Sequence, residues 1–263
     1  MNYSLGVCTS LNNAPLAAEL GAAHIEPGFA HTATLDKAAF DDGLRALRES
    51  GLYVDAMNSM LPGNAVLYGT DAETEPTLDL VRRGMERAAA IGCKTVVLGS
   101  GTARKIPDGM TKGEAICHFS AMAARFCEIA QPYGIRIAIE PLRAHETNFI
   151  HTVSDALQII EAVPQHIALG VNPDIYHMLE GADPFDALSL SADRLFHVHV
   201  CAPDRHYPSL ARPAEDNDLY RAFFRALDAA GYRGTLSIEG IATDMRAELP
   251  EALSILRAAM QDA

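Results

Sequence analysis

Eight short apolar runs, segments of helical period between them and glycines at the joins together predict an α/β chain folded as a (β/α)8 TIM barrel. The 263 residues are 49% hydrophobic and 21% charged, enough apolar material for one large core. Eight βα units in a chain of this length match the size of such a barrel. No Gly/Ser- or Pro-rich linker and no low-complexity tract divides the sequence, so a single domain over residues 1–263 is expected.

The strand candidates run in order: Leu5–Thr9, His24–Pro27, Tyr53–Asn58, Thr95–Leu98, Arg136–Glu140, Ile167–Val171, Leu195–Val200 and Thr235–Glu239. Each is brief, several are rich in β-branched residues, and most lack clean alternation. That is the pattern of a parallel strand buried on both faces. Between them lie Ala/Leu/Glu/Arg-rich stretches with apolar residues three and four apart. Glu73–Ile91 and Gly113–Tyr133 are the clearest, and Asn217–Ala230 and Arg246–Met260 also fit. Gly21, Gly51, Gly92, Gly134 and Gly231 each follow a helical run and stand shortly before a strand. A left-handed cap that closes the helix accounts for all five. The competing architecture is a doubly wound open sheet, which carries a Gly-rich phosphate turn after its first strand. Here that position reads Cys8-Thr9-Ser10-Leu11-Asn12, and neither the dinucleotide nor the P-loop fingerprint occurs.

A formal net charge of −13 repels phosphate backbones and anionic lipid, so neither nucleic acid nor membrane is an expected partner. The N-terminus lacks a basic segment followed by an apolar core, and no stretch approaches the roughly 20 apolar residues that cross a bilayer. A soluble, cytoplasmic protein is expected. Five cysteines, with no C-x-x-C pair, point to free thiols in a reducing compartment.

Residues at the C-terminal ends of barrel strands face the active site. The fifth strand ends at Glu140, the sixth runs on to Asp174, the seventh carries His197 and His199, and the eighth ends at Glu239. Any one of these carboxylates alone could cap a helix or pair with an arginine, and His197 could be a satisfied core histidine. Four in register are a metal site: two glutamates, an aspartate and a neutral imidazole form a hard, mostly oxygen set. Such a set suits one divalent ion, Mn²⁺, Mg²⁺ or Co²⁺, better than structural zinc. Elsewhere, Gly99-Ser-Gly-Thr-Ala-Arg104-Lys105 either binds a phosphate through backbone N–H groups and two cations or is simply a turn. Cys201 shares parity with His199. Glu26, Asn58 and Asn64 end earlier strands and are candidates to line the pocket, without an assignable role.

These residues resemble the xylose-isomerase-like sugar isomerases and epimerases, and most closely the ketose 3-epimerase branch with its D-tagatose and D-psicose 3-epimerases. Ile137-Ala-Ile-Glu140-Pro-Leu-Arg-Ala-His-Glu146-Thr-Asn148 is similar to that family's Glu-x5-Glu strand end. Asp174-Ile-Tyr-His177-Met resembles its Asp-x-x-His element, His197-Val-His199 with Arg205 its His-x-His-x5-Arg element, and Ser237-Ile-Glu239-Gly240 its closing strand. The resemblance implies Glu140, Asp174, His199 and Glu239 as metal ligands, with Glu140 and Glu239 also the catalytic bases. It implies Glu146, His177 and Arg205 as the substrate grip, a sugar as substrate, and a homodimer or homotetramer. The chain departs from the family at Arg143-Ala144, at Ser209-Leu210-Ala211 after Pro208, and in having no tryptophan.

The expected chemistry is proton abstraction beside the carbonyl of a keto-sugar or sugar phosphate, through a metal-stabilised enediolate, giving epimerisation or isomerisation. A lyase or dehydratase acting on a keto-sugar or keto-inositol through the same enediolate is the main rival. An apurinic endonuclease-like metal hydrolase is disfavoured by the −13 charge and the lack of extra histidine ligands at the ends of strands two and three. A non-catalytic sugar-binding barrel is disfavoured by the presence of both glutamates.

Overall fold

A computed structural model describes residues 3–163, 168–211 and 215–263. Eight parallel strands are present among the described residues: β1 (Ser4–Cys8), β2 (Ile25–Glu26), β3 (Ala56–Met57), β4 (Thr95–Leu98), β5 (Arg136–Ile139), β6 (Leu169–Val171), β7 (Val198–Val200) and β8 (Thr235–Ile238). They pair in two arcs, β2-β1-β8-β7 and β3-β4-β5-β6. Single bridges His24–Tyr53 and Gly28–Asn58 join β2 to β3, and Val171–Leu195 and Asp174–His199 join β6 to β7. The ring is therefore closed. The expected strands hold within a residue or two, but β2, β3 and β7 shrink because their flanks keep only isolated bridges. Of the expected strand Ile167–Val171, Ile167 lies outside the described residues.

The helices among the described residues are α1 (Ala14–Glu19), α2 (Phe29–Thr34), α3 (Lys37–Ser50), α4 (Asp71–Ile91), α5 (Lys112–Ala130), α6 (Val153–Ala162), α7 (Ile175–Glu180), α8 (Glu215–Ala229) and α9 (Met245–Gln261). Helix α5 starts at a capping box: the Thr111 hydroxyl accepts from Glu114 N at 3.2 Å, and the Glu114 carboxylate accepts from Thr111 N at 2.8 Å. Gly51 and Gly92 stop α3 and α4 with φ of 69° and 90°, a region where a Cβ is strained. Gly21, Gly134 and Gly231 share that left-handed backbone, so all five expected caps are present. No described helix is long and apolar enough to cross a membrane.

Thr95 to Leu98 of β4 are buried throughout, so both faces of that strand are covered. The barrel interior is different, because its axis is polar. His24, Glu26, His197, His199 and Ser237 are all fully buried. His24 Nε2 lies 3.2 Å from the Ser237 hydroxyl, and burial followed by the neighbouring His197 lowers its pKa to about 4. Gly6 in β1 makes room for that ring: a Cβ there would come within 2.3 Å of it. Gly6→Ala is therefore expected to cost about 1–3 kcal/mol in urea unfolding, as overpacking of a ring held by a hydrogen bond. A loss below about 0.5 kcal/mol, the usual range for a surface substitution, would show that His24 is free to move.

Candidate metal centre

The four candidate ligands are carried on backbone already tied into the barrel. Glu140 N donates to Leu98 O at 3.2 Å, His199 N to Pro173 O at 3.0 Å, and Glu239 N to Val200 O at 3.1 Å. Asp174 caps α7, its Oδ1 accepting from Tyr176 N at 2.8 Å. Its side chain also pairs with Arg205 through Oδ2. Helix capping and arginine pairing, the ordinary fates of a lone strand-end aspartate, both coexist here with a place among the ligands.

One donor atom from each of Glu140, Asp174, His199 and Glu239 lies within 4.8 Å of the others. His199 Nδ1 sits 2.8 Å from Glu140 Oε1 and 3.2 Å from Glu239 Oε2. An octahedral ion with bonds of about 2.1 Å separates its ligands by about 3–4 Å, so the spacing and donor chemistry fit one hard divalent cation. Glycine supplies the space. A Cβ on Gly99 would lie 2.3 Å from Glu140 Oε2, so any larger residue would displace that carboxylate.

Electrostatics set the two glutamates apart. Burial, and then the negative charge of Glu239, raise the Glu140 pKa above its ordinary 4.5. Burial pushes Glu239 the same way, but His199 and Arg205 outweigh it and bring Glu239 down to about 2. Glu239 also keeps 19% of its side chain exposed, whereas Glu140 keeps 7%. Burial disfavours the charged form of His199, yet Glu26, Glu239 and Glu140 together raise its pKa well above the ordinary value. Pairs of titratable groups pushed in opposite directions are the mark of acid–base sites.

The other expected residues surround this core unequally. Arg205 bridges Asp174 and Glu239, with Nη2 at 2.6 Å from Glu239 Oε2. Its φ of 70° is left-handed, a strain of about 1–3 kcal/mol in a non-glycine residue. The backbone bond from Ile241 N to Arg205 O, 2.7 Å, holds it there. His177 is buried beside Asp174, its Nε2 3.8 Å from Oδ2. Glu146 pairs with Arg143 rather than with the four candidate ligands. It stands at the rim, where Arg143 Nε donates to it at 2.9 Å and Arg143 and Arg205 both stack on Tyr176.

Several contributors carry no signal in single residues. Asn172, fully buried, donates Nδ2 to Glu140 Oε1 at 3.1 Å and lies 3.1 Å from His199 Nδ1. It is two residues before Asp174 on the same strand line, and that parity was the available clue. Asn58 reaches Glu239 Oε1 at 3.4 Å. His197 is a satisfied core histidine, bonded to Glu26 and Thr235. The phosphate reading of the loop at Gly99 fails for Arg104. Its guanidinium is fully buried and donates to the carbonyls of Glu140 at 2.7 Å and Ile150 at 2.9 Å, clamping the wall behind the site. Cys201 is buried, and all five cysteines are free.

Residues 14–259 match the model of the xylose isomerase-like TIM barrel family. The chain belongs to that family. It is 27% identical over 229 residues to a ketose 3-epimerase of Arthrobacter globiformis, covering 85% of this chain and 76% of the relative. Its fold matches the 3-keto-D-glucoside 4-epimerase of E. coli with a TM-score of 0.81 at 21% identity, over 98% of this chain and 100% of the other. A D-allulose 3-epimerase of Methylomonas sp., solved with D-allulose, gives 0.81 at 20% identity, over 98% and 97%. The chain is thus an enzyme of the isomerase class, with sugar epimerases as its relatives.

Because Glu239 carries part of the pressure on Glu140, removing its charge has a defined sign. In metal-free protein, Glu239→Gln is expected to lower the Glu140 titration midpoint, read by carboxyl ¹³C NMR. An unchanged or raised midpoint would show that the two groups do not share one field.

Proposed function

We propose that this chain is a divalent-metal-dependent keto-sugar epimerase that inverts the carbon beside the carbonyl, and that residues 1–263 do so as one domain. The observation that carries this reading is the approach of Glu140 and Glu239, from the ends of β5 and β8, to one nitrogen of His199, at 2.8 and 3.2 Å. Two carboxylates meeting at a shared point can serve opposite faces of one substrate carbon. The ketose 3-epimerase relative supports C3 as that carbon.

Glu140, Asp174, His199 and Glu239 would hold the ion, Mn²⁺ by preference with Mg²⁺ or Co²⁺ as substitutes. When bound, it supplies electrostatic stabilisation of the negative charge that builds on the carbonyl oxygen. Glu140 and Glu239 flank the substrate carbon: one removes its proton and the other delivers a proton to the opposite face. One C–H bond breaks and one forms, with no redox change, and proton exchange with solvent resets the pair. His177, Arg205 and Glu146 orient hydroxyls. The use of Arg104 on backbone carbonyls supports a free sugar rather than a phosphate ester.

A keto-sugar screen with Mn²⁺ in D₂O, read by NMR, tests this directly. Deuterium is expected at C3 with the C3 epimer as product; exchange at C1, or loss of water, would contradict it. Glu239→Gln is expected to cut turnover by at least about 10²-fold with its circular dichroism unchanged. Exhaustive chelation should silence the wild type and Mn²⁺ restore it, whereas full activity in metal-free protein would remove the metal from the mechanism.

A further inference from the structure

Below the four ligands, Glu26 joins two histidines. Its Oε2 lies 2.7 Å from His197 Nε2 and its Oε1 lies 2.9 Å from His199 Nε2, and all three side chains have no exposed surface. The two rings stand edge to face, with centroids 5.2 Å apart and planes at 85°. We propose that Glu26 is a positioning residue for the metal centre: it holds His199 by Nε2 and so turns Nδ1 toward Glu140 and Glu239. The proposal rests on the metal site proposed above.

An imidazole that gives its Nε2–H to a carboxylate presents the Nδ1 lone pair on its far side, and that bond sets both tautomer and ring orientation. Glu26 can do this because its own backbone is fixed. Cys8 and Glu26 are partners in the β1–β2 register, and Thr9 N donates to Glu26 O at 3.0 Å. Its second oxygen is anchored in turn. His197 Nδ1 lies 3.2 Å from the Thr235 hydroxyl, which donates to Asp55 Oδ2 at 2.8 Å. A polar column of Asp55, Thr235, His197, Glu26 and His199 thus spans the barrel from the start of β8 to the metal centre.

Cys8, Glu26 and His199 also offer donor atoms within 4.8 Å of one another. Here Glu26 Oε1 is committed to His199 Nε2 and Oε2 to His197 Nε2, which favours positioning over a second ion. The two readings differ in stoichiometry.

The test uses the whole chain, stripped of metal and titrated with Mn²⁺ while electron paramagnetic resonance follows the free ion. Variants Glu26→Gln and Glu26→Asp are compared with Leu253→Ala, a buried truncation in α9 that lowers stability without touching the site. Wild type is expected to bind one ion. E26Q should bind about 10–100-fold more weakly, E26D should recover part of that loss, and L253A should bind as wild type. E26Q within twofold of wild type, an equal loss in L253A, or a second wild-type ion that disappears in Cys8→Ser would overturn the role of Glu26. Failure of wild type to bind any Mn²⁺ would overturn the metal site itself, and this role with it.

Discussion

Three carboxylates gathered within 4.8 Å of one another and of a single imidazole are the constraint on which the rest of the barrel's upper end depends. Carboxylates that close repel, and burial makes each charge costlier. The structure answers with positive charge and with donors. Arg205 spans Asp174 and Glu239, Asn172 donates to Glu140, Asn58 reaches Glu239, and His199 lies between the two glutamates. The left-handed backbone of Arg205 and the bare Cα of Gly99 follow from the same crowding. A divalent cation would meet the remaining demand of such a set.

The fold was legible because βα repetition leaves a strong periodic trace. Thr95–Leu98 was found to the residue, since four buried positions in a row have no exposed end to blur them. The short strands β2 and β3 were overdrawn, because single bridges at His24, Tyr53 and Asn58 look like strand to hydropathy but do not extend a ladder. The clustering of the four candidate ligands was legible for a related reason: each ends or follows a strand, and their register converts spacing along the chain into proximity. Glu26 and Asn172 were not legible as to role. Their work is to hold other side chains, and nothing in their own neighbourhood encodes which. Arg104 misled, because a cation beside glycines reads as a phosphate loop until its carbonyl partners are seen.

The departure at Arg143 falls at the rim rather than at the base. Arg143 pairs with Glu146 at 2.9 Å and with Glu180 at 3.5 Å, and stacks on Tyr176 beside Arg205. Tyr176 links this rim to the base, because Arg205, which stacks on it, also pairs with Asp174 and Glu239.

The most direct test of this account is anomalous diffraction from crystals soaked in Mn²⁺. It predicts one peak bounded by Glu140, Asp174, His199 Nδ1 and Glu239, at bonds of about 2.1–2.2 Å, with His199 Nε2 still on Glu26. A peak between Cys8 and Glu26, or coordination through His199 Nε2, would contradict it.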